Sequence, residues 1–240
     1  MEKDHIYRSL IRPRDLVFFR VQIKESDLFV LSERKLVRQT EEALLKYRED
    51  IERYIYYHPL FKKTFEPFPP QEEMPPIVKA MSEASQKAGV GPMAAVAGAI
   101  AEFVGKDLLA HCKQIIVENG GDIFMKVGKK RKVGIYAGSS PLSGRIALQI
   151  SPEETPLGIC CSAGTFGHSI SLGRADAVVV LSPSASLADA VATAVGNLIK
   201  EEEDIPQGLK FLKGIAGIKG GLIIKGRRMG AWGRLNIVRG

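Results

Sequence analysis

The residues best placed to do chemistry are an acid and a hydroxyl, Asp189 and Thr193, within the stretch 182–200. They stand four apart. Leu187, Val191, Val195 and Leu198 recur around them at helical spacing, so the stretch reads as a helix with one apolar stripe. On that helix the two oxygens stack one turn apart and face away from the stripe, together with Gly196. A carboxylate and a hydroxyl so arranged suit a hard divalent cation such as Mg2+. A second reading of the same residues is a capping box, with Ser186 as N-cap and Asp189 bonding back to a free backbone N–H.

Two further clusters carry potential chemistry. Asn119-Gly120-Gly121-Asp122 lies between two apolar runs. It reads either as a plain hairpin turn or as a nest of backbone N–H groups for a phosphate. The stretch 157–176 holds four glycines, Ser and Thr hydroxyls, His168 and the adjacent Cys160 and Cys161. Ser162, Gly164 and Thr165 there offer donors with little bulk, as a ligand wall would. The alternative is a Gly-rich hairpin whose hydroxyls satisfy their own backbone. Cys161, or Cys160, with His168 seven or eight residues on, could form a thiol nucleophile; the other reading is a pair of buried small hydrophobes.

The elements that must position these groups follow from periodicity. Residues 15–24 and 28–31 form a hairpin, with Val17, Phe19, Val21 and Ile23 sharing a face. Ser32 is expected to cap a long helix over 33–57. Five prolines in 66–76 make a rigid connector. A helix over 76–88 stops at Gly89, and the Ala- and Gly-rich stretch 91–105 forms a tightly packed helix. Strands are expected at 4–12, 114–118, 123–127, 132–137, 145–150, 177–181, 222–225 and 235–238, with a helical turn near 209–212. Strands joined by hairpins, with helices packed on them, make an α+β fold of mostly antiparallel sheet. A hairpin with a helix in the first third, and strands with a helix later, hint at a duplicated unit.

At 240 residues the chain has ample length for a core. The arrangement read is one domain: hairpin and long helix over 1–65, connector over 66–76, motif-bearing core over 77–240. Three cysteines without a CxxC pattern exclude a disulfide framework and a zinc ribbon, and fit a reducing compartment. No signal peptide or spanning segment is visible, which places the protein in the cytoplasm without membrane insertion. The net charge of +7 includes a dense run at 126–132. That run is a solvated hairpin tip or an anion-attracting rim, and Arg227 and Arg228 allow the same two readings. Without a recognisable nucleic-acid motif, nucleic acid stays a minor reading.

Three pieces together resemble the ApbE-like superfamily, whose best-known members are the FAD:protein FMN transferases. They are Gly98-Ala-Ile-Ala101, Asn119-Gly-Gly-Asp-Ile123 and Ala188-Asp-Ala-Val-Ala-Thr193. The match covers about 95–200, and residues 161–171 resemble a shorter branch of that superfamily. The resemblance implies a T-fold-like architecture, Mg2+ held by Asp189 and Thr193 with a main-chain carbonyl at Ala97 or Gly98, and FAD or another nucleotide near the 119–122 turn. It also implies an acceptor protein. Three departures stand out. Glu102 occupies the place of a Lys in the transferases, their Asp-Pro-x-Thr-Gly loop is missing, and residues 1–60 lack a clear counterpart of their flavin-binding segment.

Three functions compete at this stage. One is a Mg2+-dependent transferase acting on a flavin or other pyrophosphate, with Asp189 central. Another is a thiol enzyme using Cys160 or Cys161 with His168. The last is a non-catalytic binding or assembly module, a homo-oligomer in one version, that keeps a degenerate pocket.

Overall fold

The computed structural model describes residues 15–163 and 173–240. Eight strands form one antiparallel sheet. In spatial order they are β1 (Val17–Ile23), β2 (Ser26–Ser32), β3 (Ile115–Asn119), β4 (Asp122–Lys126), β7 (Leu157–Ser162), β8 (Ala177–Ser182), β9 (Gly220–Lys225) and β10 (Arg228–Gly233). The chain enters as a hairpin, crosses one face as helices, and returns as a second hairpin. It then repeats that course. The first pass is β1–β2, then α1 (Val37–Tyr57), α2 (Leu60–Lys63), α3 (Pro76–Ala88) and α4 (Val96–Leu108), then β3–β4. The second is β7–β8, then α5 (Ala185–Leu198) and α6 (Ile205–Gly214), then β9–β10. The two passes meet where β4 pairs with β7, Ile123 opposite Ile159.

Alternation along the strands divides the interior into two cores. Val117, Phe124, Cys160, Val178 and Val180 face the helices and pack with Leu44, Ile77, Val104 and Val191. Met125, Ile159, Val179 and Leu222 face the other way. They are covered by a small sheet of β5 (Arg131–Gly134), β6 (Ile146–Ile150) and β11 (Ile237–Arg239). No single helix among the described residues is long and apolar enough to cross a membrane.

Several expected elements shift or change. α1 begins at Val37 with Leu36 as N-cap, not after Ser32. Ser32 ends β2, and its hydroxyl bonds the carbonyl of Arg34. The stretch 91–105 opens as a 3-10 turn, Pro92–Ala95, before α4. The first six residues of the Gly-rich stretch 157–176 are a central strand, and β10 pairs along β9 where no strand was expected. The strand expected at 4–12 lies outside the described residues. The basic run is pinned to the fold: both terminal nitrogens of Arg131 bond Asp15 at 2.8 Å, and Lys126 bonds the carbonyl of Thr155.

Candidate functional site

The site lies at the seam of the two passes, where α4 and α5 cross above β4 and β7. Each helix puts a carboxylate on the N-terminus of the other. α4 starts without a side-chain cap at Ala95, so its first N–H groups need acceptors. Asp189 of α5 supplies one: its Oδ2 accepts from Gly98 N–H at 2.8 Å, and its carboxylate also accepts from Ala97 N–H. In return Glu102 of α4 reaches the start of α5. Its Oε2 accepts from Ser186 N–H at 3.1 Å and from the hydroxyls of Ser184 and Ser186, while Oε1 pairs with Lys106 at 2.6 Å.

This arrangement overturns the capping box read from residues 186–189. The N-cap of α5 is Ser184, whose hydroxyl accepts from Leu187 N–H. Asp189 is buried and serves the neighbouring helix, not its own. The crossing depends on Gly98. A Cβ there would stand 2.8 Å from Asp189 Cβ and inside the contact shell of the Ala185 carbonyl. Glu102 is the functional residue that sequence reasoning left without a role. The signal was available: an acid inside an Ala- and Gly-rich apolar run must find buried donors.

The sheet supplies the floor. Asn119 donates from Nδ2 to the Ala97 carbonyl at 3.2 Å, tying the β3–β4 turn to the start of α4. Gly120 and Gly121 have φ of 64° and 105°, conformations open to glycine. Gly121 N–H donates to Glu118 Oε1 at 2.6 Å, so a side-chain carboxylate already holds one of the two amides read as a phosphate nest. Asp122 pairs with Asn119 across the hairpin and shares its helix-facing side. Its Oδ1 accepts from Cys161 N–H at 3.2 Å. The Cys160 thiol donates to the Ala185 carbonyl at 3.3 Å. Ser162 follows on the same face, 6 % exposed, and its hydroxyl has no hydrogen-bond partner among the described residues.

Thus Asn119, Asp122 and Cys160 from the sheet meet Ala97, Ala185 and Asp189 from the helices, and Ser162 lies on the same face of the sheet. Thr193 sits half-buried one turn beyond Asp189. Cys161 does not join them. Strand alternation turns its side chain to the opposite face, against the second core. His168, Gly164 and Thr165 lie outside the described residues.

Burial dominates the electrostatics. It pushes the Asp189 carboxyl up to about 7, against the opposing pull of the Gly98 and Ala97 N–H groups. Asp122 is raised as well, first by burial and then by the charge of Asp189, and among the described residues no cationic group offsets either acid. The two carboxyls therefore titrate as a pair. Burial pushes the Cys161 thiol up to about 12 and the Cys160 thiol well above its ordinary value. At neutral pH both are thiols, the inert form.

A stability profile follows. An acid whose folded pKa is raised binds more protons folded than unfolded between the two values. For Asp189 that window runs from 3.8 to about 7. Stability of the metal-free chain should fall as pH rises through it and level off above. Thermal melting in EDTA should give a midpoint roughly 5 °C lower at pH 8 than at pH 5 from this pair alone. Asp189→Asn, which retains an acceptor for Gly98 N–H, should remove most of that difference.

The donor set fits a hard divalent cation: two buried carboxylates without a counter-ion, a main-chain carbonyl and nearby hydroxyls. A family model described as AbpE bacteria matches residues 8–207. A UPF0280 protein of Methanococcus aeolicus is 38% identical over 226 residues, covering 92% of this chain and 91% of that protein. Another, from Methanocella arvoryzae, is 40% identical over 220 residues, 91% of this chain and 89% of that protein.

The chain belongs to the UPF0280 branch of the ApbE-like superfamily.

Its α+β architecture is the ApbE-like fold. The flavinyl transferase ApbE of Pseudomonas stutzeri, in its apo form, superposes with a TM-score of 0.57 at 16% identity, over 90% of this chain and 94% of that one. The flavin transferase ApbE from Vibrio cholerae gives 0.56 at 13% identity, over 92% and 97%. At such identities the likeness shows the ApbE-like backbone arrangement alone.

Proposed function

We propose that this ApbE-like protein binds a flavin or another pyrophosphate-bearing nucleotide with Mg2+ at the α4–α5 seam, as a flavin or nucleotidyl transferase. The observation that carries this reading is Asp189, a buried carboxylate on the Ala97 and Gly98 N–H groups, without a cationic partner among the described residues and one turn from Thr193. Asp189, Thr193 and the carbonyl of Ala97 would hold the ion, and Asn119 positions that carbonyl through its side-chain amide. When bound, Mg2+ would neutralise pyrophosphate oxygens and make the phosphorus a better electrophile. In the transfer, an acceptor oxygen forms a bond to that phosphorus as the phosphoanhydride bond breaks. The acceptor's proton is released, and the other half of the nucleotide leaves as a monophosphate. The Gly120–Gly121 bend, free of any Cβ and with open space around it, leaves room for the nucleotide.

Binding of FAD and of ADP should require Mg2+ and should weaken at least tenfold in Asp189→Ala. Fluorescence or calorimetric titration with and without EDTA reads this directly. No Mg2+-dependent binding of either nucleotide would remove the proposal.

One observation favours a second reading. Asp189 already caps α4 through Gly98 and Ala97, and the Gly121 N–H is taken by Glu118. A non-catalytic module could use the acid pair as a structural element that shares a proton. In that case Asp189→Asn leaves nucleotide binding absent in both proteins and changes only stability.

A further inference from the structure

The Asp189 site has a second side, and the second side is not neutral. Asp122 is 5 % exposed and lies between two residues that touch the helices. Asn119, its partner across the turn, reaches the Ala97 carbonyl. Cys160, on the adjacent strand, reaches the Ala185 carbonyl, one helical turn before Asp189. The Asp122 carboxylate accepts from the Cys161 N–H and the Cys160 thiol, and no cation among the described residues balances it. An acid pair alone could simply share a proton. The independent observation is Ser162. Gly158 packs on Ala185 so closely that a Cβ would stand 2.7 Å from its nitrogen, and Cys160 bonds the same residue. Alternation therefore turns Ser162 to that face too. Its hydroxyl is buried there with no partner, although buried hydroxyls are normally satisfied.

We infer that Asp122 and Ser162 are cation ligands that face Asp189, so that the ion is clamped between a carboxylate from each of the two structural passes. The inference rests on the cation site proposed above and adds to it the sheet side. Its chemistry is that of a hard divalent ion: two carboxylates, a hydroxyl and the Ala97 carbonyl are all oxygen donors, and the second carboxylate supplies the charge that balances the ion. It also gives the unpartnered Ser162 hydroxyl a role that neither packing nor the backbone provides.

The test is titration with Mn2+ alone, following free Mn2+ by electron paramagnetic resonance. The proteins are the full-length chain and its Asp122→Asn, Ser162→Ala and Asp189→Asn variants. Asparagine retains an acceptor for the Cys161 N–H, and alanine removes only an unpartnered oxygen, so both should keep the wild-type melting temperature or exceed it in EDTA. One Mn2+ per wild-type chain is expected, with affinity at least tenfold weaker in Asp122→Asn and about threefold or more weaker in Ser162→Ala. Wild-type affinity in both variants overturns the inference. If Asp189→Asn then still abolishes binding, the site of the proposed function stands without its sheet side. If the wild-type chain takes up no Mn2+, the inference falls, and the proposed function stands or falls on the nucleotide titration. Should Asp122→Asn fail to fold, the Ser162→Ala affinity decides alone.

Discussion

Gly98→Ala should destabilise the protein by about 3 kcal/mol, against the sign that helix propensity gives. In a solvent-facing helix the same change is stabilising by about 1 kcal/mol, because glycine carries the larger entropy cost of ordering. Gly98 sits in α4 with helical backbone, so conformation does not reserve the place for glycine. Space does. An added Cβ would lie 2.8 Å from Asp189 Cβ and 2.9 Å from the carbonyl carbon of Ala185. Both belong to α5, and one is backbone, so neither can rotate away. The helices must separate, and with them go the Gly98–Asp189 hydrogen bond and the opposing contacts of Glu102. Gly214→Ala is the matched control. It lies at the end of α6 with nothing within 4 Å of the new Cβ, and it should be neutral or slightly stabilising. Thermal melting separates the two, with a drop of roughly 10 °C expected for Gly98→Ala. Equal midpoints for the two variants would remove the argument that glycine is there for helix approach.

Much of this fold is written in local patterns. The hairpin at 17–32, the helix over Pro76–Ala88 ending at left-handed Gly89, and the helix around Asp189 follow from periodicity and punctuation alone. So does the closeness of the 91–105 stretch to something, since its small residues announce a near neighbour. The neighbour itself is not local information. The capping box at 186–189 fits its sequence pattern, yet Asp189 finds the N–H groups of another helix, because burial rewards whichever donors lack partners. Residues 157–162 carry a glycine and show no alternation of apolar and polar side chains. They make a strand only because β4 and β8 flank them on both sides. Once that strand is known, period-two alternation separates Cys160 from Cys161 and removes the Cys161 thiol from the side where Asp189 lies. The same register sets Cys160 across from Asp122, with Ser162 the next residue on that face, a juxtaposition that a spacing of some forty residues conceals.

Glu102→Lys should be the most damaging single exchange at the seam, costing about 4 kcal/mol or more, whereas Glu102→Gln should cost about 1 to 2 kcal/mol. Glu102 is 4 % exposed and receives three donors on one oxygen, among them the Ser186 N–H at the start of α5. A helix N-terminus favours negative charge, and this carboxylate is both acceptor and counter-charge to it. Glutamine keeps an acceptor and loses the charge. Lysine would bring a buried ammonium against N–H groups and hydroxyls that already need acceptors, and would set it one turn from Lys106, which now pairs with Glu102 at 2.6 Å. Urea unfolding followed by circular dichroism gives the order directly: wild type, then Gln, then Lys, with unchanged denaturant slope. The lysine that the transferase pattern carries at this place is therefore not exchangeable with Glu102. In this chain Glu102 holds the second helix in register, and that register is what brings Asp189 to the first turn of α4. A Lys variant as stable as wild type would mean that the two helices are aligned by apolar packing alone, and that the paired carboxylates are passengers on the crossing.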